Sequence, residues 1–277
     1  MKQQHIDYQV VPYSKIRRFM SAEFRAAHHM PMIHGLIEVD VTRARAHLRA
    51  QKAKTGESLS FTAFLVACLA QAVEEHKAVQ ASRKGRKHLI LFEEVDVLTY
   101  IERGAAGHSL PMPSIIRAAN HKTMCEIHRE IRAAQRGDVA QAAVGFKLVQ
   151  YLPTLFFRSL LWMLGRDPRR MKKYVGTVGI TAVGMFGKGA GWGIPPATPP
   201  SLWVTVGGIG EKPGVVDGQI AIREYLSLTI SFDHEIIDGD PAARFTRRLK
   251  DLIESGYGLP SMEEKEQAGT EAPAQKQ

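Results

Sequence analysis

Ser231-Phe232-Asp233-His234-Glu235-Ile236-Ile237-Asp238-Gly239 sets a histidine, an acid four residues later and a glycine in one short stretch. Just upstream, Leu226-Ser227-Leu228-Thr229-Ile230-Ser231-Phe232 alternates apolar and hydroxyl side chains, the period of a half-buried strand. Downstream, Pro241-Ala242-Ala243-Arg244-Phe245 opens an amphipathic helix, with Asp240 as the expected N-cap and Pro241 at the first helical position. The histidine therefore sits where a strand ends, in a turn closed by Asp-Gly. Such a corner can hold an imidazole rigidly against a cleft.

A neutral imidazole titrates near physiological pH, so it can take a proton from a thiol or hydroxyl and return it. It must be held in one tautomer. Asp238 can do this directly, or by anchoring the turn through an arginine, and Gly239 supplies backbone freedom. Two other readings stand beside this one. The histidine can be a buried structural residue next to an ordinary turn, or half of a metal pair that lacks a convincing third ligand.

Working outward, the 277 residues are 44% hydrophobic, enough for one large domain. No stretch approaches about 18 uninterrupted apolar residues, so no transmembrane helix is expected, and Met1 to Asp7 lacks the apolar core of a secretory signal. Cys68 and Cys125 have neither zinc nor disulfide spacing, and a reducing cytoplasm is the simplest setting. The net charge of +9 is spread along the chain without a nucleic-acid motif, so no nucleic-acid partner is expected. Two basic clusters stand out, Arg83-Lys84-Gly85-Arg86-Lys87 and Arg166 to Lys173. Each reads as a solvated face or as a contact for an anionic ligand such as coenzyme A.

Helices are expected over 14–27, 42–52, 60–76 and 122–135, and strands over 35–41, 88–92, 94–100, 114–117, 202–206, 215–216 and 220–222. Asp217-Gly218 marks a hairpin turn, and Gly187 to Pro196 a loop. Leu152 to Leu164 is the most apolar run, and basic residues follow it at once. Three readings of it stand open: cover for a subunit interface or acyl pocket, a core helix, or a helix on an anionic membrane surface at 152–173. Residues 259–277 read as a disordered polar tail.

Several ordered blocks then carry a resemblance. Val11-Pro12-Tyr13-Ser14-Lys15-Ile16-Arg17-Arg18, Met30-Pro31-Met32-Ile33-His34, Leu110 to Asn120, Gly176-Thr177-Val178-Gly179-Ile180-Thr181-Ala182-Val183-Gly184-Met185-Phe186-Gly187 and Asp233-His234 to Asp238-Gly239 follow one another in the chain. Together they resemble the catalytic domain of 2-oxo acid dehydrogenase acyltransferases, a family related to chloramphenicol acetyltransferase. The resemblance implies an α/β (α+β sandwich) fold, a mixed sheet flanked by helices, in a single catalytic domain over 1–258. Residues 140–174 depart from the family pattern as an insertion. No lipoyl or peripheral-subunit-binding domain is expected in the chain.

The resemblance also implies an activity: acyl transfer between coenzyme A and a second thiol such as dihydrolipoamide. By that resemblance His234 is the general base, Thr181 takes the place of the family's oxyanion-stabilising serine, and Asp238 holds the histidine turn by pairing with Arg17, or with Arg18 as fallback. Coenzyme A is a substrate, no metal is implied, and any lipoyl group must come from another protein. A homotrimer is implied, with His234 from one subunit and the hydroxyl from its neighbour. Glu235 and Ala182 stand where the family usually has arginine and asparagine. Two alternatives remain: an enzyme of this fold that acylates a small-molecule hydroxyl or amine, and a non-catalytic scaffold core.

Overall fold

The computed structural model describes residues 9–13, Arg17, Ser21, Phe24, Arg25 and Ala27, and then 29–103, 110–136, 167–182 and 189–260. Most of the expected first helix, the apolar run 152–164 and the tail from 261 lie outside the described residues.

Strands β1 (Met32–Asp40), β4 (Val97–Arg103), β5 (Leu110–Ile116), β6 (Val178–Ala182), β7 (Leu202–Val216) and β8 (Gln219–Asp233) form one sheet in the order β1-β8-β7-β6-β4-β5. β7 runs parallel to β6 and β6 parallel to β4, while the other three pairings are antiparallel. Strands β2 (Ser82–Lys84) and β3 (His88–Ile90) make a separate hairpin. The helices are α1 (Thr42–Thr55), α2 (Phe61–Glu75), α3 (Met124–Arg136), α4 (Pro168–Val175) and α5 (Gly239–Ser255).

The core lies between one face of the sheet and α2, α3 and α5. α2 buries ten residues, and Ser60 caps it by accepting from the Ala63 amide. Ile180, Val204, Ile230 and Phe232 face these helices, and Phe232 meets Phe245 of α5 edge-on at 5.8 Å. Each such side chain contributes roughly 1.5–3 kcal/mol by leaving water.

The sequence expects three short strands between 202 and 222; the structure has two long ones. The break in the pattern is a bulge between Val206 and Ile209. There the loop from Gly189 crosses the strand, and the Gly208 amide donates to Gly191 O at 2.9 Å. A Cβ on Gly207 would come 2.1 Å from that same oxygen, so the glycines mark a close backbone approach. Asp217 and Gly218, both at positive φ, form the expected hairpin turn. The apolar, basic segment up to Tyr174 is helical only over α4 among the described residues. No described helix is long and apolar enough to cross a membrane.

Candidate active site

Alternation along the strands separates two chemistries. Opposite the helices, the sheet shows Ser227, Thr229 and Ser231 from β8, Trp203 and Thr205 from β7, and Thr181 from β6. Register aligns Thr181, Thr205 and Thr229 in one row across three strands. Thr205 and Thr229 are buried, and neither hydroxyl has a hydrogen-bond partner among the described residues. His34 on β1 joins this face, its Nδ1 lying 2.8 Å from the Ser231 hydroxyl.

β8 ends at Asp233, and the next residue is His234. The turn that follows is closed by its own backbone: the Ile236 and Ile237 amides both donate to Asp233 O at 3.0 Å. The buried Asp233 carboxylate accepts from the Glu235 amide at 3.0 Å, and desolvation holds its pKa above the ordinary range. The His234 amide donates to Pro31 O at 2.8 Å, which ties the turn to the entry of β1. Ile237 drops into the core and fixes the turn from below.

The imidazole lies 2.9 Å through Nδ1 from Ile237 O. A carbonyl oxygen only accepts, so Nδ1 is the protonated nitrogen. Nε2 is left with its lone pair and no hydrogen bond among the described residues. Of the two roles open to Asp238, a direct hold on the tautomer is not the one this geometry has. Asp238 Oδ1 is 3.9 Å from Nδ1, beyond hydrogen-bond reach, and its side chain is 88% exposed.

Two further expectations change. The α5 helix starts at Gly239, with Asp238 rather than Asp240 at the N-cap position, so Pro241 is already inside the first turn. Gly239 does not have positive φ, and a Cβ there would meet nothing within 4 Å. A helical first residue needs no glycine freedom.

Arg17 is exposed, and the Tyr13 hydroxyl donates to its carbonyl at 3.2 Å; Arg18 lies outside the described residues. Sequence reasoning singled out the basic cluster that holds Arg83 but missed its contact. From the β2–β3 hairpin it forms an ion pair with Glu235, the acid beside the histidine. One basic cluster thus sends a residue to the histidine turn. The other folds onto acids, with Lys172 on Glu94 and Asp96. Only the arginine-to-glutamate departure at 235 hinted at the Arg83 contact. The Ile237 carbonyl has no signal in a sequence at all.

His234 and Thr181 do not meet within one copy of the chain. Thr181 aligns with Thr229 two strands away, and His234, the first residue past the end of β8, is five residues on from Thr229. That is about 16 Å along the strand direction and about 10 Å across, or about 19 Å in all.

Residues 5–141 and 168–259 match the family model "2-oxoacid dehydrogenases acyltransferase (catalytic domain)". The lipoamide acyltransferase component of the branched-chain alpha-keto acid dehydrogenase complex of Bacillus subtilis (strain 168) is 28% identical over 251 residues, covering 88% of this chain and 52% of the relative. The chain spans about half the length of the curated relatives it matches. Among solved structures, a probable dihydrolipoamide acetyltransferase from Listeria monocytogenes superposes with a TM-score of 0.68 at 23% identity, over 92% of this chain and 97% of that one. Chloramphenicol acetyltransferase superposes with a TM-score of 0.50 at 13% identity, over 87% and 96%. Fold and sequence agree with the expectation drawn from the ordered blocks. Both blocks that hold His234 and Thr181 lie inside the matched ranges, and the chain belongs to the family of 2-oxoacid dehydrogenase acyltransferase catalytic domains.

Proposed function

We propose that the protein moves an acyl group between coenzyme A and a second thiol, dihydrolipoamide carried by another protein. The observation that carries this reading is the state of His234. Its Nδ1 proton is committed to Ile237 O, and its Nε2 is open. A thiol of pKa about 8.5 is mostly protonated at neutral pH, so a base is required to make the nucleophile. Nε2 takes the thiol proton, and the thiolate attacks the thioester carbonyl. The carbonyl becomes an oxyanion, which the Thr181 hydroxyl stabilises; one such donor contributes about 3–4 kcal/mol to the transition state. Collapse expels the coenzyme A thiolate, which recovers the proton from Nε2. The reverse direction uses the same groups.

Because His234 and Thr181 lie about 19 Å apart in one copy, the site is completed by a second copy, in a homotrimer with one site at each interface. Asp238 then holds the turn through an arginine, Arg17 first and Arg18 as fallback.

The test is a thiol-release assay with acyl-coenzyme A donors and dihydrolipoamide, run beside His234→Ala. Transfer that disappears in the variant while its assembly is retained supports the reading. Full activity in His234→Ala would remove the base assignment. Binding of coenzyme A without transfer to any thiol would favour a hydroxyl or amine acceptor.

A further inference from the structure

Thr181 stands beside an aromatic floor. Two residues before it on the same face is Gly179, where a Cβ would come 2.5 Å from the Trp203 ring. The indole of β7 thus lies over β6 in the space left by the missing side chain. Its Nε1–H donates to Thr198 O at 2.9 Å. Beyond β6 it stacks on Tyr100 of β4, with ring centroids 6.3 Å apart and planes inclined by 15°. Thr99 pairs with Ile180, so Tyr100 is the β4 neighbour of Thr181. Pro113 of β5 lies opposite Tyr100, and Leu98 lies beside Gly179.

Leu98 and Trp203 are 4% and 3% exposed, yet neither belongs to the core cluster under the helices. They form a second apolar layer, on the face that carries the hydroxyl row. Tyr100 on the same face is 41% exposed. A large ring has been admitted beside the hydroxyl by removing a side chain from the strand that carries the hydroxyl.

We propose that Tyr100, backed by the buried Trp203 ring, forms the floor of the acyl subsite, and that it selects uncharged, apolar acyl groups over acyl groups ending in a carboxylate. The inference rests on the acyl-transfer reading and on Thr181 as the oxyanion donor. With the carbonyl oxygen at the Thr181 hydroxyl, the first carbons of the acyl chain lie over the neighbouring strand position, Tyr100, whose ring the Trp203 indole backs. Aliphatic carbons gain contact there. A carboxylate would lose hydration against ring faces that carry negative charge density, and none of the floor residues is a cation that could pair with it.

Butyryl-coenzyme A and succinyl-coenzyme A test this, because both acyl groups are unbranched four-carbon chains that differ only in the terminal carboxylate. Transfer rates and calorimetric binding are measured for wild type, Tyr100→Phe and Tyr100→Arg, with thermal unfolding as the check on folding. Wild type should prefer butyryl by about tenfold or more in kcat/KM and in binding. Tyr100→Phe should keep that ratio. Tyr100→Arg, which supplies a cation, should lower it by about tenfold. Equal handling of the two donors by wild type, or a ratio unmoved by Tyr100→Arg in a folded protein, would overturn the proposal. A Tyr100→Arg effect confined to the KM for dihydrolipoamide would overturn it too, by placing the floor on the acceptor side. Selective binding without transfer would leave the floor standing and remove the acyl-transfer reading instead.

Discussion

Two inactive variants should restore each other when mixed. On the proposed reading, with His234 and Thr181 about 19 Å apart in one copy, each working site draws the histidine from one subunit and the hydroxyl from the next. His234→Ala destroys every site to which it supplies the base. Thr181→Val destroys every site to which it supplies the donor. In an equal mixture, reassembled from dissociated subunits, a site works only where a Thr181→Val subunit lends its histidine to a His234→Ala subunit. With random assembly each condition holds half the time, so about one quarter of the sites work, whatever the ring size. Neither substitution enters the helix-side core, and His234 is 45% exposed, so both variants should assemble. The assay is thiol release with a saturating acyl donor, before and after dissociation and remixing. Recovery to about one quarter of the wild-type rate is expected, against almost none for either variant alone. A remixed sample no more active than the separate variants, with mixed assembly shown by tagged subunits, would refute the shared site. Substantial activity in a protein held monomeric would refute it as well.

Thr181→Val alone keeps the methyl and removes the donor, so kcat should fall by about 10²–10³ with little change in donor KM; an unchanged kcat would move the oxyanion role elsewhere. Arg83→Glu and Glu235→Arg each place like charges across the histidine turn, whereas the double exchange restores opposite charges. The double variant should recover the activity that each single variant loses, and additive losses in a double-mutant cycle would mean the pair does not hold the turn. Glu75 receives a two-pronged contact from Arg248, which lowers its pKa from 4.5 to about 2. The folded-state pKa is depressed, so the stabilisation is fully present above about pH 4.5 and is lost as pH falls toward 2. In a dry site the shift would carry about 3 kcal/mol, but the side chains are 33% and 40% exposed, and solvent screening leaves about 1 kcal/mol. Glu75→Gln should therefore lower stability by about 1 kcal/mol at pH 7 and by progressively less below pH 4 in urea unfolding; a pH-independent loss would contradict the assignment.

Much of the fold was legible because its signals are local. The hydroxyl and apolar alternation of Leu226 to Phe232 predicts β8, and that strand lies where it was expected, with its apolar members on the core. The ten buried positions of α2 follow from an apolar run capped by Ser60. Boundaries slipped where tertiary contact overrode the local pattern. Gly207 and Gly208 read as a strand end, but they are the place where another loop touches an unbroken β7. Asp240-Pro241 reads as a helix start, but the turn after His234 is tight enough for α5 to begin at Gly239.

The sequence by itself determined the identity of the chemical groups: a histidine at a strand end, an acid one turn on, and a threonine in the block that resembles the oxyanion strand. A motif is a statement about neighbours in the chain, and neighbours are what a sequence records. Only the tertiary structure decided how those groups can be used. It set the proton of His234 on Nδ1 through a backbone carbonyl, paired Glu235 with an arginine 152 positions away, and laid Trp203 over Gly179 beside Thr181. It also kept His234 and Thr181 about 19 Å apart. Each of these follows from strand order and register, which pack side chains from distant parts of the chain against one another; no pattern along the chain encodes that distance.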